Sequence, residues 1–226
     1  MVNNPFFGIV LSIVTYLFGQ KLAAKFKSPL LNPLLVSIVL CIVILLTCNI
    51  PLESYMDGGK YITFLIGPAT VALVVPLYEQ LEVLKSNFKA IMIGIFAGTL
   101  ASLLSMVMFV KLFHLEHALS VSIIPKAITT AIGMDLSAQF GGIPAISAAI
   151  IILTGILGAI LAPPFMKLVK IKDPIAVGVC LGTASHAVGT SRAREIGELE
   201  GAMAGLCIGI AGIFTAILLP FVLILL

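Results

Sequence analysis

Charge is what this sequence has least of. Only 10% of its 226 residues are Asp, Glu, Lys or Arg, where a soluble domain carries about 25%. Such a chain has too little polar surface to cover a globule in water, which excludes a soluble domain. Thirteen basic and ten acidic residues leave a net charge of +3. That is too small for a nucleic-acid surface, and no basic run or aromatic ladder accompanies it. Enzyme signatures are missing: there is no HExxH, no GxSxG and no P-loop, and no apolar segment carries two carboxylates, so the chain is not read as an enzyme. Cys41, Cys48, Cys180 and Cys207 lack CxxC spacing and histidine neighbours. They read as small buried hydrophobes rather than metal ligands or disulfides, and no metal or cofactor is expected. The opening residues Met1 to Phe7 show no positive region and no small-residue cleavage site, so no cleaved signal peptide is expected.

Apolar residues are abundant. They make up 60% of the chain, and the mean hydropathy is +1.21. Stretches free of charge mark the segments: Met1–Gln20, Ser28–Leu52, Tyr61–Tyr78, Ala90–Val110, Leu136–Met166, Pro174–Ser191 and Gly201–Leu226. Ala118–Met134 adds another, interrupted only by Lys126. The turn signal Gln139-Phe-Gly-Gly-Ile-Pro144 divides the longest stretch. Short polar connections (Lys21–Lys27, Glu53–Lys60, Glu79–Lys89, Lys111–His117, Lys167–Asp173 and Arg192–Glu200) join them. The expectation is one polytopic membrane domain over residues 1–226, spanning the lipid bilayer.

Two segments differ from the rest. Tyr61–Tyr78 contains Gly67-Pro68 and Pro76, and Pro174–Ser191 contains Gly178, Gly182 and Gly189. Broken backbone at membrane depth must be buried in protein or line a wet cavity. A gapless shift of 115 residues pairs Gly67 with Gly182, Ala69 with Ala184 and Ala72 with Ala187, and continues through Gly94/Gly209, Ala101/Ala216 and Leu104/Leu219. The expectation is a duplication, with repeat 1 at about 1–113 and repeat 2 at about 116–226. If all eight segments cross, the basic residues split 7 to 5 between the two sides; if the two broken segments re-enter, they split 9 to 3. The predicted fold is therefore an all-α membrane protein in two inverted repeats. It has about six full transmembrane helices plus two re-entrant or discontinuous helices. A discontinuous helix that crosses stays open as the alternative.

Helix breaks expose N–H groups and a partial positive charge that suit an anion. The first break offers the Ala69 and Thr70 backbone and a hydroxyl, and the second offers Thr183, Ser185, His186 and Thr190. The bland alternative is that these small residues only permit close helix packing. Lys126, in Ile124-Pro-Lys-Ala-Ile-Thr-Thr130, is the clear intramembrane charge. It reads as a counter-charge for an anionic substrate, with Thr129 and Thr130 beside it, unless it snorkels to the interface. His186, with an unperturbed pKa of about 6.5, is a proton-relay candidate or a histidine satisfied by carbonyls. Arg192 is close enough to Thr190 to select anions at a cavity mouth. Asn32, before Pro33, either caps a helix or contacts the site. His114, His117 and Asp135 are read as connecting or interfacial.

Three motifs together resemble the LrgB/CidB family over nearly the whole chain. They are Gly67-Pro-Ala-Thr-Val-Ala-Leu-Val-Val-Pro-Leu-Tyr78, Pro125-Lys-Ala-Ile-Thr-Thr130, and Gly182-Thr-Ala-Ser-His-Ala-Val-Gly-Thr190 continuing to Glu195. That family was first described as holin/antiholin-like, acting on murein hydrolase activity and autolysis. Other members, among them the plastid glycolate/glycerate transporter and bacterial pyruvate systems, move small monocarboxylates. The resemblance implies a multi-pass protein of the bacterial inner membrane that carries pyruvate, glycolate or a similar acid; the alternative is a holin/antiholin-like pore or regulator. It also implies a small LrgA/CidA-type membrane partner, since the LrgA-like portion fused in the plastid member is not in this sequence. A homodimer is the expected assembly.

Overall fold

The computed structural model describes residues 4, 6–26, 31–72 and 74–226, and every regular element among them is an α-helix. The chain divides into two compact units, Met1–Ala72 and Leu73–Leu226.

In the N-terminal unit, α1 (Phe6–Phe26) packs on α2 (Pro33–Thr47) and α3 (Leu52–Phe64), and α4 (Ile66–Ala72) follows. Lipid offers no hydrophobic drive between helices, so small residues and hydroxyls hold them together. A Cβ on Gly19 would lie 2.6 Å from the Pro33 carbonyl oxygen. The Thr15 and Ser37 hydroxyls hydrogen-bond at 2.9 Å, and those of Ser12 and Tyr55 at 2.8 Å. The polar stretch Glu53–Lys60, expected as a connection, is helical instead and opens α3, with Lys60 paired to Asp57 one turn away. Among the described residues, the broken character expected of 61–78 is visible where α3 stops at Phe64 and α4 begins at Ile66, and α5 (Val74–Glu79) belongs to the second unit.

The C-terminal unit holds α5, α6 (Leu81–Phe113), α7 (His117–Ile123), α8 (Thr130–Gln139), α9 (Pro144–Leu168), α10 (Pro174–Ile196) and α11 (Glu198–Leu223). With α1, the helices α6, α9 and α11 are long and apolar enough to cross a membrane. At 15 residues α2 is about 22 Å long, short of the ~30 Å hydrocarbon core.

Two segments fold back on themselves. In α10 the backbone bends at His186 (φ 38°, ψ −119°). A Cβ on Gly189 would lie 2.9 Å from the Leu181 carbonyl carbon; in a straight helix those residues are about 12 Å apart. A Cβ on Gly178 would lie 2.5 Å from the Glu200 carbonyl oxygen, and one on Gly182 2.5 Å from that of Ala204. Residue numbers rise together, so 174–185 runs parallel to α11. Gly201 meets Arg194 across the turn at Gly197, so 187–196 returns antiparallel. The α10 segment is a helical hairpin with His186 at its tip.

The α7–α8 segment is a second hairpin. The Ile143 N–H donates to Ser122 Oγ at 2.6 Å, and a Cβ on Gly142 would sit 3.0 Å from the same oxygen. A straight helix would hold residues 122 and 143 about 31 Å apart. The turn occupies 124–129, where Pro125 removes an N–H and Thr129 caps α8. Segment 118–134, expected to be a full span, therefore does not cross, and the count of six is corrected downwards.

That reversal also corrects the expected inverted arrangement. Inverted repeats would set α6 and α11 antiparallel, since the 115-residue shift superposes them. They run parallel. A Cβ on Gly94 would meet Val179 at 3.4 Å and one on Gly98 would meet Thr183 at 3.0 Å, so α6 is also parallel to the first arm of α10. Ile91 and Ile95 of α6 pack with Met203 and Cys207, while Val107 and Val110 pack with Leu219 and Val222. Only α9 crosses between α6 and α11, because the chain turns back at Pro125.

Candidate functional site

The two hairpins start from opposite ends of α9. The α7–α8 pair has its base at Gly142–Ile143, beside the α9 N-terminus, and the α10 pair begins at Pro174, just beyond the α9 C-terminus. Their tips meet. The Lys126 backbone lies against the His186 ring, and the Lys126 ammonium donates to Ser102 Oγ of α6 at 3.4 Å. Depth follows from the long helices. A Cβ on Gly155 would lie 3.2 Å from Val188 Cγ2, and one on Gly158 3.1 Å from Ser185 Cβ. These glycines are at the middle of α9. Gly98 and Ser102, facing the tips, are near the middle of α6.

Several helix hydroxyls among the described residues satisfy themselves by donating to a carbonyl one turn back: Ser12 to Gly8, Thr63 to Gly59, Ser122 to Ala118 and Ser191 to Ala187 are examples. Around the tips they do not. Thr183 Oγ1, Ser185 Oγ, His186 Nε2 and Thr190 Oγ1 on α10, and Thr99 Oγ1 on α6, are buried without a hydrogen-bond partner among the described residues. Cys207 lies beside Thr183, but a thiol is a weak partner. Each such group costs about 1–3 kcal/mol if left unpaired. Ser137 Oγ shares the property but sits at the hairpin base beside Gly142.

Charge at the tips is decided by the lysine. Each hairpin brings one helix C-terminus and one N-terminus to its tip, so the half-charges of the two arms largely cancel. Lys126 remains as a whole positive charge, half-buried, with no carboxylate at ion-pair distance among the described residues. The first-turn N–H groups of α8, after Thr129, point the same way. Thr129 Oγ1 takes only the Ile132 N–H, at 3.5 Å, which leaves the Thr130 N–H free of its cap. The arrangement suits a small anion that can also accept or donate hydrogen bonds.

Of the residues expected from the sequence, Lys126 of one hairpin lies against His186 of the other; Thr129 and Thr130 follow Lys126 on its hairpin, and Thr183, Ser185 and Thr190 flank His186 on the second. Thr183 faces α6, and Ser185 faces α9. Arg192 is not at the tip. It lies on the returning arm, exposed, and pairs with Glu195. Asn32 belongs to the N-terminal unit, where its side chain caps α2 by accepting from Leu34 N at 2.9 Å and Leu35 N at 3.3 Å. Ala69 is exposed on α4 of that unit, and the Thr70 side chain lies outside the described residues. The segment facing the α10 bend within the C-terminal unit is the 124–129 turn, which the sequence presents only as an interrupted helix. Thr99 and Ser102 were missed because a lone hydroxyl in an apolar run carries no signal. Gly98, one residue before Thr99 and four before Ser102, was the available hint.

A family model described as LrgB-like matches residues 12–225. An "Antiholin-like protein LrgB" of Bacillus cereus (strain B4264) is 38% identical over 218 residues, which is 96% of this chain and 95% of that protein. The protein of the same description from Bacillus anthracis (strain CDC 684 / NRRL 3495) matches to the same extent. No solved structure matches.

Proposed function

Since the chain belongs to the LrgB-like family, we propose that this antiholin-like membrane protein takes a small monocarboxylate, such as pyruvate or glycolate, between its two hairpin tips. It carries that acid across the bacterial cytoplasmic membrane. The observation that carries the reading is Lys126 at mid-height, whose ammonium makes one long hydrogen bond among the described residues, to Ser102. A lysine at that depth costs about 2.5–3.5 kcal/mol, and a carboxylate bound there would offset much of it. The flanking hydroxyls and the α8 N–H groups would take its oxygens. Hairpins entering from opposite faces give each side of the membrane its own gate, which is what alternating access requires.

Orientation follows from the ends of the C-terminal unit. Lys85, Lys89, Lys167, Lys170, Lys172, Arg192 and Arg194 gather at the end where α6 and α11 begin, against Lys111 alone at the other. That seven-to-one bias supports a cytoplasmic placement of the first end. Proton coupling through His186 is part of the proposal; uptake that is independent of pH and unchanged in His186→Ala would reject it.

A second reading has its own support. The relatives matched are named antiholin-like, which favours a holin/antiholin-like pore or a regulator of murein hydrolase activity more directly than it favours transport. Proteoliposome uptake of labelled pyruvate and glycolate separates the two, run with and without a small LrgA/CidA-type partner. Saturable uptake lost in Lys126→Gln supports carriage. Leakage indifferent to the solute supports the pore. A homodimer is the assembly expected in either case.

A further inference from the structure

We infer that the binding site has a third wall, supplied by α6: Thr99 is a ligand-binding residue and Ser102 positions the Lys126 side chain. The inference rests on the anion site proposed above and extends it to a further helix.

Three observations converge. Gly98 lets the α10 tip approach so closely that a Cβ there would lie 3.0 Å from Thr183 Cγ2. Thr99 and Ser102 are therefore level with the tips, within one turn of each other. Thr99 is 2% exposed and its hydroxyl has no hydrogen-bond partner among the described residues, not even the back-bond to a preceding carbonyl that Ser120 and Ser122 make. Ser105, one turn further along, does make such a bond, to Ser102 O at 2.8 Å. Ser102 Oγ instead receives the Lys126 ammonium. An unsupported lysine side chain has four rotatable bonds, and one hydrogen bond to a rigid helix fixes where its charge sits. The positions 115 residues later, Phe214 and Ile217 on α11, are apolar.

Packing alone would be served equally by valine at 99 and alanine at 102, and that difference makes the test. Uptake kinetics in proteoliposomes should show KM raised about tenfold in Thr99→Val and in Ser102→Ala, with maximal rate within about twofold of the parent. Thr99→Ser should restore the parent KM. Parent-like KM in both variants, while Lys126→Gln abolishes uptake, would overturn the inference and leave the transport reading standing. If the parent protein itself transports neither acid, the transport reading fails, and the wall is tested by chemistry alone. Thr99→Cys in a background free of native cysteines should react faster with an anionic methanethiosulfonate than with a cationic one. Lys126→Gln should erase that preference. A thiol at 99 inert to both reagents would overturn the inference.

Discussion

Replacing Lys126 by methionine should make the protein more stable and less able to bind its solute. The side chains are similar in length, so the change removes the charge and little else. Holding an ammonium at the bilayer centre costs about 2.5–3.5 kcal/mol. Against this stands one charge-assisted hydrogen bond, worth about 1.5–3 kcal/mol at good geometry. At 3.4 Å the bond to Ser102 belongs at or below the low end of that range. The balance is a gain of roughly 1–2 kcal/mol, or an upward shift in unfolding midpoint of about 2–8 °C for a chain of this size. The assay is thermal unfolding of both proteins in one detergent, with and without saturating pyruvate or glycolate. Ligand at a hundred times Kd should stabilise the parent by about 2.7 kcal/mol and leave Lys126→Met unmoved. A variant that melts several degrees below the parent would refute the reasoning, because it would mean that the ammonium is tied into bonds that hold the tips together.

The hairpin geometry predicts that Ser122→Cys with Ile143→Cys forms a disulfide in a background free of other cysteines; failure to crosslink would mean the segment runs straight. Gly182→Val should cost at least about 1–3 kcal/mol and lower folded yield, since its Cβ would sit 2.6 Å from Ala204 Cα, which is backbone and cannot swing aside. His186→Gly should keep the bend, because φ 38° is a left-handed value that glycine adopts freely, whereas His186→Val should lose about 1–3 kcal/mol of stability. Melting of the two variants side by side checks this. Asn32→Ala should cost about 1 kcal/mol through loss of the α2 cap and leave uptake kinetics unchanged; a raised KM would implicate Asn32 in the site.

Low charge and a run of apolar segments were enough to establish an all-helical membrane protein, because lipid leaves the backbone few other ways to satisfy its hydrogen bonds. The breakers at Gly67-Pro68, Pro125 and Gly182–Gly189 marked where helices fail, and Lys126 stood out because a buried charge is costly wherever the chain puts it. What those local signals could not carry was direction. Pro125 says that a helix is interrupted, but whether the chain then continues across or turns back depends on what Ser122 meets twenty residues later. Because it meets Ile143, the span count fell, α6 and α11 became parallel, and the tip facing His186 came from 124–129. Thr99 and Ser102 acquired meaning only through the side chains opposite them. Burial cost is a property of a residue and its solvent, and can be read along a sequence; which groups share a burial is decided by packing between elements far apart in it.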